Sequence, residues 1–360
     1  MKPTFHTLTI ADVNEETNDC CSIAFDVPTA LEEQYQFIQG QYLTLKANIE
    51  GEEVRRSYSI CSSPNGEELR VAIKQVPNGK FSTFANEQLK KGDQLEVMTP
   101  TGKFYTALDA TQEKHYVGVA AGSGITPILS ILKAVLETEP ESRFTLLYGN
   151  KNTGSIIFKE EIEALKNVYM SRLTVHYFLS REMLDAPLMN GRIDREKCGD
   201  IFTRLLDVKD IDECFSCGPE SMIFAVRDTL LEQGLEEEKI HFELFTSPLG
   251  KLGQDRQRET REEDKGKVTD VTIKLDGKAF QFDLPFDSDN LLDAALKQGA
   301  DLPFACKGGV CCTCRAKLVE GSVEMEVNYA LEQEEVDAGF ILTCQAFPTT
   351  EKVVVDFDQV

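Results

Sequence analysis

The stretch Phe304-Ala305-Cys306-Lys307-Gly308-Gly309-Val310-Cys311-Cys312-Thr313-Cys314 decides how this sequence is read. Its cysteines follow C-x4-C-x2-C, and Cys344 comes with 29 residues between it and Cys314. Two irons need four thiolates, and this is the spacing of a 2Fe–2S site: three ligands from one tight loop, a fourth from a distant segment. Gly308 and Gly309 allow the loop to wrap that closely, because glycine reaches positive φ without a steric penalty. The expected metal ligands are therefore Cys306, Cys311, Cys314 and Cys344. Cys312 lies outside the pattern and reads as a small packing residue. A zinc site or a group of buried thiols is the other reading. Zinc sites are usually built from two short C-x2-C knuckles, and only one is present here.

Working outward, Val271 to Leu275 and Ala279 to Leu284 flank Asp276-Gly277, a hairpin signal, and Leu291 to Gln298 reads as a helix. This unit begins at Val268. Before it, Pro248 to Lys267 holds six basic and five acidic residues in twenty with almost no apolar ones, the composition of a charged linker. Further upstream, strand-like runs at His115 to Ala120, Phe144 to Tyr148, Leu173 to Leu179, Glu213 to Cys217 and Ile240 to Phe245 alternate with helical periodicity. The clearest such run is Ile125, Ile128, Leu129, Leu132, Val135 and Leu136. Strands alternating with helices imply a parallel α/β sheet. Up to about Leu108 the pattern changes to short strands (Gln41 to Lys46, Ser57 to Cys61, Leu69 to Val76, Gln94 to Met98) with one helix at Phe81 to Lys90, which implies a small antiparallel barrel. The expected division is 1–108, 109–247, a linker at 248–267, and 268–360.

The 360 residues carry 38 basic and 61 acidic side chains, a net charge of −23. A field of that sign disfavours nucleic acid and anionic membrane surfaces as partners. No apolar segment of signal-peptide type opens the sequence, and the uncharged stretch His115 to Leu132 is interrupted by Gly122, Ser123, Gly124, Thr126 and Pro127. A cytoplasmic protein is expected, and there eleven cysteines should stay reduced and serve metal or redox work.

The cysteine loop, with Leu342-Thr343-Cys344, resembles that of plant-type ferredoxin domains, and the two upstream pieces resemble the ferredoxin–NADP reductase superfamily. Together these imply an FAD-binding β-barrel, an NAD(P)-binding α/β domain and a C-terminal β-grasp ferredoxin domain. Arg56-Ser57-Tyr58-Ser59 is similar to the superfamily's flavin motif. The residue types suit a flavin, since a tyrosine stacks on the ring, an arginine pairs with a diphosphate, and a serine hydroxyl reaches the ring edge. Gly79-Lys80-Phe81-Ser82-Thr83 opens a helix whose amides suit the diphosphate, with Ser82 as its N-cap in the plainer reading. The resemblance also places Ile73 and Lys74 against the flavin.

Gly122-Ser123-Gly124-Ile125-Thr126-Pro127 follows a strand and opens a helix, as a pyrophosphate turn does, though only G-x-G of the dinucleotide fingerprint is present. Thr126 and Cys217-Gly218-Pro219 resemble the superfamily's nicotinamide pocket. Glu243 and Phe245 share one face of a strand, and the resemblance places both near the flavin. The chemistry is thus expected to rest on Ser59, Thr126, Cys217 and Glu243. No acidic residue follows Tyr148-Gly149-Asn150-Lys151, whereas Lys151 and Lys159 suit a 2′-phosphate; NADPH is favoured, with NADH open.

The resemblance implies electron transfer from NAD(P)H through FAD and a 2Fe–2S cluster to the oxygenase component of a multicomponent system. Arg56 to Ser63, Cys306 to Lys317 and Val327-Asn328-Tyr329-Ala330-Leu331-Glu332 are most similar to the family of phenylacetyl-CoA epoxidase reductase subunits, which feed a di-iron oxygenase in phenylacetate catabolism. The alternatives are a reductase for another Rieske or di-iron oxygenase, or a non-catalytic redox-sensing flavoprotein.

Overall fold

The computed structural model describes residues 4–245 and 266–359. Positions 246–265, which hold most of the charged linker, lie outside the described residues. Phe5–Phe245 forms one compact unit, and 266–359 belong to a second.

The first unit holds two sheets. Strands β1 (Phe5–Thr17), β2 (Cys20–Asp26), β3 (Tyr42–Ile49), β4 (Glu52–Ser59), β5 (Leu69–Lys74) and β6 (Gln94–Met98) form an antiparallel sheet in the order β4-β3-β6-β1-β2-β5. Two register shifts bend β1, between Ile10 and Asp12 and between Glu15 and Thr17. An isolated bridge between Ile60 and Val71 then brings the two sheet edges together, so the sheet curls into a half-barrel. Leu8, Ile23, Leu43, Leu45 and Val71 fill it, all fully buried. Helices α1 (Glu32–Tyr35) and α2 (Lys80–Glu87) lie along this part of the chain.

The second sheet is parallel throughout. Its strands β7 (His115–Ala121), β8 (Arg143–Asn150), β9 (Leu173–Leu179), β10 (Glu213–Gly218) and β11 (Ile240–Leu244) run in the order β11-β10-β7-β8-β9. Helices α3 (Ile125–Thr138), α4 (Lys159–Val168), α5 (Arg195–Arg204) and α6 (Glu220–Glu232) connect them. The chain winds one way from β7 to β9 and the other way through β10 and β11. The strand order therefore reverses between β7 and β10, and in such sheets ligands bind at the carboxyl ends of the strands at that reversal.

In the second unit, β12 (Val268–Leu275), β13 (Lys278–Pro285), β14 (Arg315–Glu320), β16 (Phe340–Leu342) and β18 (Lys352–Asp356) form a mixed sheet ordered β13-β12-β18-β14-β16. A small pair, β15 (Val323–Met325) and β17 (Ala346–Pro348), stands apart. Helix α7 (Leu291–Lys297) contributes Leu291, Leu292 and Ala295 to the core that Val271, Ile273 and Val355 form, a β-grasp arrangement; α8 (Gln333–Asp337) is a single turn. The hairpin expected at Asp276-Gly277 is present, with both residues at positive φ (53° and 70°) as a type I′ turn requires. Asp358 accepts their two backbone N–H groups at 2.8 and 2.9 Å. Among the described residues no helix is long and apolar enough to cross a membrane.

Candidate functional site

At the reversal of strand order the chain passes through Gly122–Gly124, a single 3-10 turn between β7 and α3. A Cβ on Gly124 would sit 2.1 Å from the Cys217 carbonyl oxygen, so only glycine lets this turn approach the end of β10. Gly122 has φ +55° and open space where a side chain would stand, and its carbonyl accepts from the Tyr148 hydroxyl at 3.0 Å. Thr126 is buried, and its hydroxyl donates to the Ser123 carbonyl at 3.0 Å, so it closes the turn. Gly218 ends β10 beside Ala121, and Pro219 is the N-cap residue of α6. Gly122, Gly124, Thr126, Cys217, Gly218 and Pro219 are thus brought to one place.

Cys217 pairs in register with Glu243 on β11 and with Ala120 on β7. Its thiol is fully buried, and desolvation together with the neighbouring Glu243 charge holds it well above the ordinary thiol range, so it stays protonated. The Glu243 carboxyl is itself pushed up to about 7 by desolvation, an effect that a hydrogen bond from Ser59 partly offsets. That bond, Ser59 Oγ to Glu243 Oε2 at 3.1 Å, joins the end of the half-barrel strand β4 to the edge of the parallel sheet. Ser59, Cys217 and Glu243, from three separate stretches of sequence, therefore converge. Phe245 is 40 % exposed at the end of the described segment.

The remaining flavin candidates line up around β4, β5 and α2. Arg56 and Tyr58 are half-buried on β4, and the Tyr58 ring lies 5.7 Å from that of Phe81 on α2. Ser57 reaches the Thr44 hydroxyl at 3.2 Å. Ile73 is fully buried, and its carbonyl accepts from Asn86 Nδ2 at 3.0 Å. Lys74 pairs with Asp19 at 3.4 Å, and Lys80 with Glu52. Ser82 is not the N-cap of its helix. Gly79 holds that position, and Ser82, in the first turn, accepts from the Val76 N–H at 3.2 Å and donates to the Gly79 carbonyl at 3.2 Å. The helix starts earlier than its side chains suggest because Gly79 leaves room for that back-bonding: a Cβ there would lie 2.4 Å from Ser82 Oγ. Lys151 stands exposed just past the end of β8.

The four expected metal ligands gather in the second unit as two pairs. Cys306 and Cys311 have their sulfurs 3.0 Å apart, and the Cys314 thiol is held well above its ordinary range by the neighbouring Cys344 and by burial. Among the described residues, no three His, Cys, Asp or Glu side chains converge to hold one ion. Two pairs of thiols match the demand of two irons with two thiolates each better than that of a single tetrahedral zinc. The Cys311 thiol and the backbone N–H groups of Gly308, Val310 and Cys311 all donate towards Cys306, and these bonds pull its thiol down to about 6 against the opposing effect of burial. A thiolate is what iron requires, and Cys306 is poised as one, whereas the Cys311 and Cys314 thiols, raised by burial and by their cysteine neighbours, would give up their protons on binding iron. Cys312 is not a fifth member: its sulfur points to the Ala330 carbonyl at 3.1 Å.

Sequence reasoning passed over two sets of residues. One is the polar face of α3, where Ser130, Lys133 and Glu137 reach the chain just after the flavin motif. The other is Gln345, whose amide lies among the cluster cysteines. Both act through partners distant in sequence, and no local motif marks them.

Three family models match in sequence order: an oxidoreductase FAD-binding domain over 7–105, an oxidoreductase NAD-binding domain over 119–228, and a 2Fe–2S iron–sulfur cluster binding domain over 273–349. The chain is 46 % identical over 355 residues, 99 % of its length and 98 % of the relative's, to the 1,2-phenylacetyl-CoA epoxidase subunit designated E from Escherichia coli K12. It is 33 % identical to the ferredoxin reductase component of 3-ketosteroid-9-alpha-monooxygenase from Rhodococcus rhodochrous, covering 97 % of this chain and 96 % of that one. Among solved structures, phthalate dioxygenase reductase shares the fold with a TM-score of 0.58 at 21 % identity and 98 % coverage of both chains. The chain therefore belongs to the NAD(P)H-dependent oxidoreductases that join FAD- and NAD-binding domains of the ferredoxin–NADP reductase type to a 2Fe–2S domain, the family of oxygenase reductase components that includes this 1,2-phenylacetyl-CoA epoxidase subunit.

Proposed function

We propose that this chain is the reductase of a phenylacetyl-CoA epoxidase, taking electrons from NADPH and delivering them to the di-iron oxygenase component. The observation that carries the partner assignment is the end-to-end 46 % identity to a subunit of such a system. FAD supplies the step from two-electron hydride chemistry to single-electron transfer when bound, and the protein's part is to bind, orient and manage protons. In this reading Arg56 and the first turn of α2, with Lys80, Phe81 and Ser82, hold the diphosphate. Ser57, Tyr58, Ile73, Lys74 and Phe245 surround the ring. The turn at Gly122 and Gly124, backed by Thr126, Cys217, Gly218 and Pro219, receives the nicotinamide nucleotide, and Lys151 faces its adenosine end.

Ser59 and Glu243 form a proton relay. With its carboxyl near neutrality, Glu243 can hold a proton at Oε2 at working pH and exchange it through the Ser59 hydroxyl. The buried, protonated Cys217 shields the carboxylate from water on one side. Cys306, Cys311, Cys314 and Cys344 hold the cluster. The units are bounded at about residues 108, 247 and 267. The eleven free thiols fit the reducing cytoplasm.

An anaerobic visible titration of the purified protein with NADPH and then NADH tests this reading. Flavin and iron–sulfur bands that bleach with NADPH, followed by recovery on adding the oxygenase component with phenylacetyl-CoA and oxygen, are the expected result. Colour indifferent to both nucleotides would overturn it, and bleaching without turnover of that oxygenase would overturn the partner assignment.

A further inference from the structure

The polypeptide around the cluster cysteines is fastened by one side chain that no motif marks. Gln345 follows Cys344 directly and is 5 % exposed. Its Nε2 lies 3.0 Å from the Lys307 carbonyl and 3.0 Å from the Cys344 carbonyl, with Cys344 Sγ at 3.9 Å. Both carbonyls are acceptors, so the end of the amide that meets them must be the NH2, and its two hydrogens are just enough for the two bonds. Lys307 is the residue after Cys306 and sits at φ +51°, a left-handed conformation that a lysine adopts at a cost. Its side chain is held too, by Asp293 at 2.6 Å. On the other side, a Cβ at Gly309 would lie 3.1 Å from Gln345 Cγ, so the glycine leaves the space this side chain occupies.

One NH2 group thus ties the backbone beside Cys306, a member of the first thiol pair, to the backbone of Cys344, a member of the second. We propose that Gln345 is a positioning residue that fixes the separation of the two cysteine pairs, and through it the retention and the electronic environment of the 2Fe–2S cluster. This rests on the reading that the four cysteines are the ligands. Groups that orient metal ligands from behind characteristically change metal retention by about 10–100-fold when removed.

The test uses the full-length holoprotein. Gln345→Met keeps the length and apolar stem but has no donor, and Gln345→Asn keeps the donor on a stem too short to reach both carbonyls. Cluster loss to an iron chelator, followed by loss of visible colour, should be at least about tenfold faster in Q345M, with Q345N between it and the parent. The electron paramagnetic resonance signal of the dithionite-reduced cluster should broaden in the same order. A purely structural residue would not grade the signal this way. Flavin reduction by NADPH should be unchanged in both variants. If Q345M binds no cluster at all, partial retention in Q345N supports the clamp. Parent-like chelator kinetics and line shape in Q345M overturn it, as does a Q345N protein that retains cluster no better than Q345M. A parent protein with flavin colour and no iron–sulfur signal would instead refute the ligand reading.

Discussion

Glu243 lies in register with Cys217 and under the hydroxyl of Ser59, and its carboxyl keeps a proton up to about pH 7. The unfolded chain releases that proton at the ordinary carboxylate value, so between there and neutrality the unfolded state binds fewer protons than the folded one. Stability from this group is accordingly greatest at acid pH and is lost as pH rises towards 7. Glu243→Gln should remove that part of the pH slope, measured as the urea midpoint between pH 5 and 8. It should also slow anaerobic flavin reduction by NADPH by about 10²-fold, the scale of a general acid–base group, and abolish any step in that rate near pH 7. A pH profile of flavin reduction identical to the parent's would remove Glu243 from the chemistry. Strand alternation put Glu243 on one face with Phe245, and the family resemblance placed both near the flavin. The raised proton affinity of Glu243 depends on burial that a strand pattern does not reveal.

Helix α3 begins at the Gly122–Gly124 turn and carries on its polar face a set of bonds to the other sheet. Ser130 Oγ donates to the Ser62 carbonyl at 2.8 Å, and Lys133 Nζ to the Cys61 carbonyl at 3.0 Å. Glu137 accepts from the Ser63 hydroxyl and, at 3.2 Å, from Asn65 Nδ2. One element therefore links the turn assigned to the nucleotide with the chain just past Ser59. Ser130→Ala would leave the Ser62 carbonyl without its donor in a buried place, a cost of about 1–3 kcal/mol. It should lower the rate of flavin reduction while leaving nucleotide affinity alone, as stopped-flow traces over a range of NADPH concentrations would report. A change in affinity alone would argue that the helix serves the nucleotide only. At this scale the apolar positions of α3 were legible as a helical stripe. The polar stripe at 130, 133 and 137 was equally regular, but its partners lie some seventy positions away. The strands β1 and β2 escaped the sequence reading for related reasons. Asn14, Glu15 and Glu16 dilute the alternation of β1, and six consecutive residues of β2, Cys20 to Phe25, are buried and show no alternation. Helix α5, Arg195–Arg204, buries only Cys198, Ile201 and Phe202 and is otherwise polar. By contrast, the cysteine spacing was legible because a metal site imposes its geometry on a single short loop.

Across the whole molecule the net charge is −23, and the part from Val268 onward accounts for −10 of it, 17 acidic against 7 basic residues. Such a surface attracts a basic partner patch and repels the anionic nucleotide. The two halves of the reaction should therefore respond to salt differently. Raising ionic strength from about 0.01 to 0.15 M shortens the screening length from roughly 30 to 8 Å. Over that range electron delivery to the oxygenase component should fall several-fold, whereas the apparent affinity for NADPH should hold or rise. Parallel rates of oxygenase reduction at both salt levels would show that the acidic surface serves solubility and not docking.

The six buried cysteines outside the metal loop, Cys20, Cys21, Cys61, Cys198, Cys214 and Cys217, all have thiols raised by desolvation, Cys21 to about 11 and Cys198 to about 12. Alkylating reagents and peroxide attack the thiolate, so at neutral pH these six are chemically silent. The protein thereby carries its own gauge of integrity. Iodoacetamide applied to the folded holoprotein should label Cys312 at most, and stripping the iron should add Cys306, whose thiol is held down to about 6, while burial and their cysteine neighbours keep the Cys311 and Cys314 thiols raised and slow to react. Mass spectrometry of intact protein would then read the fraction of molecules that have lost iron as a discrete added adduct. Those six thiols offer peroxide no thiolate to attack, so in a reductase that serves an oxygenase any peroxide finds nothing there to consume.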